Sequence, residues 1–409
     1  AHLTKWLVKV TKEASPVQLT VCVTVEIRST TLSDMEEACL RAARAAAKEA
    51  MVQAVHRIEA ARGPRSRKAR FGRRRTILTR CGYLTITRGR SRRPDGSRYF
   101  PTDEHLGLAP HHEASAWVRR RGCELAAEHP YREAARLLGS EVGAHVDHRA
   151  IWRWVQADGD RALHVRVGKV NAMFGDGEAP PAPGRPVPER LTVAVDATGI
   201  RLIDGEGGSV KLAVAFTGTE QVRPGRRALA ERMVFADIGD PDHFGMALAH
   251  EMERTYGAHR IPALMLLADG ETWIKHLADD WLPGARYQCD HWHLAVKVRE
   301  FCLREEARFR TMLRRAFEHP HRLAKDLLAG RYRGDPDKAR ELAVYLANNG
   351  DHLHTHRTMG PGHWMHGSGP AEKHIELTVN RRFKRRGMRW SRRGARNLLA
   401  IRLEVIAAR

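Results

Sequence analysis

Long apolar runs are missing from this chain. No stretch approaches the length needed to cross a bilayer, and the N-terminus does not resemble a secretory signal. It opens at Ala1 without a Met, so an initiator or a few more residues are expected ahead of it. Cysteine is scarce and scattered, at Cys22, Cys39, Cys81, Cys123, Cys289 and Cys302, with no CxxC pair. That argues against a disulfide framework or a zinc ribbon and suits a reducing cytoplasm. Aromatic residues make up only 6%, although nine of them are Trp. Acid is the most telling deficit. Asp and Glu number 48 against 70 Lys and Arg, a net charge of +22. A surplus that large points to a polyanionic partner, because Lys and Arg gain free energy by displacing counterions from phosphate.

The 409 residues suffice for two or three domains. Residues 17–27 alternate apolar and polar and read as a strand. Ser33 and Glu36 form a capping box, predicting an Ala-rich helix to about Ala61. Residues 62–93 hold thirteen Lys or Arg and no acid. A solvated linker and a phosphate-tracking arm, with Arg73, Arg74 and Arg75 as DNA contacts, both fit. The embedded CGYLTITRG alternates like a strand. Three helical blocks follow, at 114–128, 131–138 and 147–156. Ala134, Ala135 and Leu138, then Val146, Ile151 and Val155, have the spacing of a helix-turn-helix that would turn Arg149 and Arg153 outward. A plain three-helix bundle has the same spacing. Trp152 and Trp154 cannot both be core.

These patterns divide the chain into an N-terminal strand, helix and basic arm (1–110), a helical DNA-binding region (111–174), a Pro- and Gly-rich linker (175–190) and a main domain (191–409). In the last, three strands (191–202, 209–218, 231–238) precede a helix (241–256). A fully apolar strand, IPALMLLAD, then a helix, a short strand, ARYQCD, and a helical insertion at about 294–366 come next, and two helices close the chain. That order is α/β and predicts an RNase H-like catalytic domain with an all-α insertion.

Asp196 ends the apolar run Val193-Ala194-Val195, and Asp269 ends the apolar fourth strand just before Gly270. A carboxylate in a buried strand is costly unless paired or bound to metal. First and fourth strands are neighbours in such a sheet, which would put the two acids side by side. Asp is also a common turn former at strand ends. Glu372 follows Gly369-Pro370, a helix start, and shares a helical stripe with Ile375, Val379 and Phe383, predicting that it faces the core. It could instead complement the helix dipole; Glu376 is the alternative. Three acids on separate elements suit Mg²⁺ or Mn²⁺, and two such ions serve phosphodiester chemistry. Cys289, His291 and His293 are candidate zinc ligands without a clear fourth partner. A second group, His352, His354, His356, His363 and His366, reads as a phosphate-facing loop or chance enrichment.

The run LLADGETWIKHLADDWLPGARYQCDHWHLAVKV resembles the second-aspartate block of bacterial insertion-sequence DDE transposases related to the Mutator superfamily, in which a Cys or Asp, two residues and a His follow; Asp290 and His293 match that element. GSGPAEKHIELTVNRRFKRRGMRWSRRGARNLLAIR resembles their glutamate block and VAVDATGI their first-aspartate block; RYFPTDEHLGL and HPYREAARLL resemble their upstream region. The resemblance implies catalytic, metal-holding Asp196, Asp269 and Glu372, with Asp290 and His293 in support. It also implies double-stranded DNA as partner, the element's terminal repeats and a target, gripped by the basic arm, the helix-turn-helix region and a tail containing Arg382, Lys384, Arg385 and Arg389. A homodimer or higher homo-oligomer on DNA, in a bacterial cytoplasm and nucleoid, would follow. Relatives carry paired cysteines around the basic region; ARGPRSRKAR and RRPDGSRYF have none here, which speaks against an N-terminal zinc module.

Overall fold

The computed structural model describes residues 8–10, 19–27, 31–61, 72–205, 207–303, 305–360 and 364–408. The chain forms two compact units, residues 1–154 and 155–409. In the first, β1 (Val8–Val10) pairs antiparallel with β2 (Leu19–Val21); residues 17 and 18 of the expected strand lie outside the described residues. Helix α1 (Leu32–Ala61) starts earlier than expected. Its cap is Thr31, whose Oγ1 accepts from the Asp34 N–H at 3.3 Å and donates to the Asp34 carboxylate at 2.6 Å. Asp34 thus takes the reciprocal role assigned to Glu36, and Ser33 lies inside the first turn.

Strands β3 (Arg73–Thr79) and β4 (Gly82–Arg88) form a hairpin through the positive-φ Gly82. The second half of the basic stretch is therefore ordered; residues 62–71 lie outside the described residues. Ile77, Leu84 and Ile86 face Val55 of α1 in a small core. A two-residue ladder, β5 (Ser91–Arg92) with β6 (Arg98–Tyr99), leads to α2 (Pro101–His105). Then come α3 (Ala116–Glu128), α4 (Tyr131–Val142) and α5 (His148–Gly175). Helix α4 ends on left-handed Gly143, and Ala134, Ala135, Leu138, Val142, Val146 and Ile151 are buried where α4 turns into α5. Trp154 lies against Gly122, while Trp152 is 49% exposed.

The boundary between the units falls inside α5, not in the linker at 175–190. The reason is that the later turns of α5 belong to the second core: Val170 is buried in it, and Gly159 lies so close to Asn397 that a Cβ would meet its backbone at 2.6 Å. The second unit is a mixed α/β body on a five-stranded sheet. Its strands are β7 (Arg190–Arg201), β8 (Gly207–Phe216), β11 (Met233–Ile238), β12 (Ala263–Ala268) and β13 (Ala285–Cys289). The spatial order is β11-β8-β7-β12-β13; β11, β8 and β7 are antiparallel, and β7, β12 and β13 are parallel. A hairpin that the sequence reading did not include, β9 (Gly218–Arg223) with β10 (Arg226–Ala230), stands between β8 and β11.

Helix α6 (Pro241–Tyr256) crosses over to β12, and α7 (Thr272–His276), relaxing into a π-turn, leads to β13. The helical insertion is α8 (His291–Cys302), α9 (Glu306–Glu318), α10 (Pro320–Leu328) and α11 (Pro336–Asn349). Helix α12 (Gly369–Ile375) continues through a π-turn at Glu376–Asn380 into α13 (Arg381–Phe383), and α14 (Arg392–Ala407) closes the chain. No helix among the described residues is long and apolar enough to cross a membrane.

Candidate active site

Strand alternation sets up the site. Leu191, Val193 and Val195 of β7, Leu264, Leu266 and Ala268 of β12, and Tyr287 and Cys289 of β13 all enter the main core from one face of the sheet. The next residues along each strand face the other way. Leu267 pairs with Ala194 and Ala268 with Cys289. Continuing that register puts Asp196, Asp269 and Asp290 in one row across three adjacent parallel strands, on the face away from the main core. Helix α12, which carries Glu372, packs against β7 and β8.

Gly270 makes the exit from β12 possible. Its φ is +111°, and a Cβ there would meet Asn349 at 2.9 Å and Tyr345 at 3.0 Å. The Tyr345 hydroxyl donates to the Asp269 carbonyl at 3.1 Å. Asp269 itself is half-buried, and its carboxylate accepts from the Glu271 N–H at 3.1 Å. The Asp196 carboxyl is raised to about 6, chiefly by burial, and the charges of Asp269 and Glu372 act in the same direction. A bond from the Ala197 N–H at 2.6 Å and the charge of His293 oppose them. Asp196 therefore feels both other acids.

Asp290 is held differently. It is 1% exposed and caps α8 by accepting from the Trp292 N–H at 2.7 Å. Its second oxygen accepts from the Ser368 N–H at 2.9 Å, the Ser368 hydroxyl at 2.6 Å and His293 Nδ1 at 3.0 Å. Burial by itself would raise this carboxyl, but the bonds from His293 and Ser368 bring it below its ordinary value. The bond to Asp290 in turn raises His293. Oxygens of Asp290 and Glu372 and a ring nitrogen of His293 lie within 4.8 Å of one another.

Glu372 corrects an expectation. It is exposed, while Ile375, Val379 and Phe383 are buried. The buried stripe instead runs through Ala371, Ile375, Val379 and Phe383, every fourth residue, and Glu372 is one residue round the helix from it. Glu372 stands 3.3 Å from the Ser368 hydroxyl. Glu376, the alternative acid, is exposed and lies 3.6 Å from Arg381. Ser368, which touches both Asp290 and Glu372, was missed in the sequence because a lone Ser before Gly-Pro carries no signal.

The basic residues sort into two kinds. Arg149, Arg153, Arg73, Arg74, Lys384, Arg385 and Arg389 are exposed. Lys384 donates to Thr198 of β7 at 2.5 Å. Arg75 does not belong with them. Its side chain is 9% exposed, paired with Asp103 at 2.6 Å and bonded to the carbonyls of Ala109 and His112. Arg88 converges on the same carboxylate. Arg382 is fully buried over the Trp390 ring, and Trp390 itself is core. Arg75 and Arg382 are thus committed inside the protein.

The expected zinc trio of Cys289, His291 and His293 is divided. Cys289 is buried 3.0 Å from the Tyr345 hydroxyl, and burial pushes its thiol up to about 12. His293 turns to Asp290. His291 instead meets His356 and His366. His363 lies outside the described residues. Burial lowers all three of these imidazoles, His356 to about 4, so they are neutral at ordinary pH.

The chain belongs to the uncharacterised protein family UPF0236, whose family model matches residues 28–408. Two UPF0236 proteins of Caldanaerobacter subterraneus subsp. tengcongensis are each 21% identical over 316 residues, 76% of this chain and 63% and 59% of their own lengths. A third from that organism is 22% identical over 318 residues, and its name joins eleven designations. The chain thus spans roughly three-fifths of the length of the relatives it matches.

Proposed function

We propose that this UPF0236 chain is a DDE-type transposase of an insertion sequence, which binds element ends and catalyses DNA strand cleavage and strand transfer. One observation carries the reading above the others: the register of β7 and β12 sets Asp196 beside Asp269 at one face of the sheet, and the charges of Asp269 and of Glu372 on α12 both bear on Asp196. The sheet order supports an RNase H-like core, with three antiparallel strands, two more added by crossover, and the first beside the fourth. A relative whose name joins eleven designations in one organism fits a sequence present in many copies, as a mobile element would be.

The donor set suits hard divalent cations. Carboxylate oxygens are what Mg²⁺ or Mn²⁺ prefer, and Asp196, raised to about 6 chiefly by burial and further by the charges of Asp269 and Glu372, gains from a cation beside it. Two such ions, when bound, activate the attacking oxygen and stabilise the leaving one. Asp290 positions rather than reacts: it fixes His293 and Ser368, and Ser368 in turn steadies Glu372. His293, favoured in its charged form, supplies a donor beside the acids that can meet a phosphate oxygen.

In the first unit, Arg149 and Arg153 on α5 would address the element's end, with Arg73 and Arg74 on phosphates. Lys384, Arg385 and Arg389 offer a cationic surface close in sequence to Glu372. Paired ends call for a homodimer or larger assembly, and no membrane is required.

Labelled element ends incubated with target DNA, Mg²⁺ and the protein test this. Joined products that disappear in Asp196→Asn are expected. Cutting without joining would make the chain a nuclease on the same scaffold. Binding with neither would make it a transposase-derived DNA-binding protein.

A further inference from the structure

The three neutral histidines that the proposed chemistry does not use form a cluster of their own. His291 is the first residue of α8, His356 lies in the 3-10 turn Thr355–Thr358, and His366 precedes α12. One ring nitrogen of each lies within 4.8 Å of the other two. The His356 and His366 rings meet edge to face at 4.1 Å, and His291 stacks on His366 at 5.1 Å. The His291 N–H donates to the His366 carbonyl at 2.9 Å, joining two of the segments through backbone as well.

Aromatic packing alone would not dictate which nitrogen of each ring carries a proton. Here the hydrogen bonds do so for two of them. Gln288 is fully buried, and its amide nitrogen faces the carbonyls of Cys289 at 2.7 Å and Leu353 at 3.0 Å. Its two protons are therefore spoken for, and its oxygen must accept. It accepts from the His356 backbone N–H at 2.9 Å and from His356 Nδ1 at 3.1 Å. His291 Nε2 faces the Leu353 carbonyl at 2.6 Å and must donate to it. The lone pairs left over are on Nδ1 of His291 and Nε2 of His356. An imidazole whose outer N–H is tied to a carbonyl or amide oxygen is oriented as metal-binding histidines are. A fourth ring adds a second indication. His354 donates through Nε2 to the Phe317 carbonyl at 3.0 Å, while its Nδ1 is buried with no hydrogen-bond partner. Its ring centre is 6.2 Å from that of His291 and 6.1 Å from that of His356.

We infer that His291, His356 and His366 form a binding site for one borderline transition-metal ion, zinc being the natural occupant, separate from the carboxylate cluster. Three uncharged nitrogen donors suit zinc and are poor ligands for Mg²⁺. Nitrogens on a tetrahedral zinc stand about 3.3 Å apart, so the ion would draw the rings inward. His354 Nδ1 or a water would take the fourth position. The site is structural. It ties the segment that ends at Ser368 to the start of α8, and so fixes the hydroxyl that touches both Asp290 and Glu372.

The test is a titration of metal-depleted full-length protein with Co²⁺, followed by the visible absorption of four-coordinate cobalt, and with Zn²⁺ by calorimetry and melting temperature. One ion per chain is expected, unaffected by millimolar Mg²⁺, with at least tenfold weaker binding in His356→Gln and His366→Gln. The His366 side chain is exposed, so its variant keeps the test open if His356→Gln fails to fold. Asp269→Asn should bind zinc as the wild type does. That result stands whether or not DNA joining is found, so the two proposals fail separately. No stoichiometric binding, or binding that survives in both histidine variants, would overturn the inference. So would binding lost in Glu372→Gln and retained in His366→Gln, which would place the ion among the acids.

Discussion

Asp269 and Asp290 stand one residue beyond neighbouring parallel strands, in the same row and on the same face, yet the protein treats them in opposite ways. Four donors hold the Asp290 carboxylate, and the fold leaves it almost no exposure. Asp269 accepts a turn bond from the Glu271 N–H and stays half-open beside Asp196. A carboxylate whose lone pairs are already filled by N–H and O–H donors has little left to offer a cation. One that faces other carboxylates instead gains from a cation. Under the proposed reading, the difference suits Asp269 to holding metal and Asp290 to positioning, although both fall in the same sequence block.

The largest effect should separate the pair directly. Asp269→Ala should lower strand cleavage on the order of 10³-fold or more, as removal of one member of a catalytic unit does, while leaving the melting temperature nearly unchanged. Asp290→Asn should cost about 10–100-fold in activity, the usual scale for a residue that orients ligands. It should also destabilise the fold by roughly 1–3 kcal/mol, since an amide NH₂ would face the Ser368 donors. If Asp290→Ala abolishes cleavage while Asp269→Ala retains it, the assignment is reversed.

Stability against pH sharpens the comparison from the Asp196 side. The folded Asp196 keeps its proton to about 6, against an ordinary value of 3.8. Between those values the unfolded chain has released a proton that the folded protein still holds, so stability falls as pH rises through the window. Asp196→Asn should remove that slope. Above pH 6 the variant should be more stable than the wild type by about 1–2 kcal/mol, after allowance for screening of a partly open carboxyl. Added Mn²⁺ should stabilise only the wild type. Denaturant titrations across the pH range measure both. The smallest effect is expected for Ser368→Ala, a several-fold loss of cleavage with Asp290 still capping α8, read from kcat against KM.

Much of the framework was legible in the sequence. Apolar runs at 193–195 and 263–268 marked two neighbouring inner strands, and their adjacency put Asp196 and Asp269 side by side. What escaped depended on contacts distant in sequence or on local irregularities. Glu372 was expected to face the core because Ala371 and Glu372 both fit a three-or-four-residue spacing back from Ile375, and only the fold shows that Ala371 takes the buried place. Arg75 read as one more cation in a basic run, since only the fold brings Asp103 to it. Thr31 displaced Ser33 as the cap because both open plausible turns and only the hydrogen bond decides between them. The histidines of α8 and of residues 352–366 formed two unrelated enrichments in the sequence; the fold joins them through Gln288, which accepts from His356 and donates to the Leu353 carbonyl that His291 also faces.

The most direct test of the account is the position of bound Mn²⁺, located by anomalous scattering in crystals of the protein with its DNA end. The account predicts manganese held by carboxylate oxygens of Asp196, Asp269 and Glu372, with Asp290 bonded to His293 and Ser368 and touching no ion. Manganese coordinated by Asp290 and His293, with Asp269 unoccupied, would contradict it.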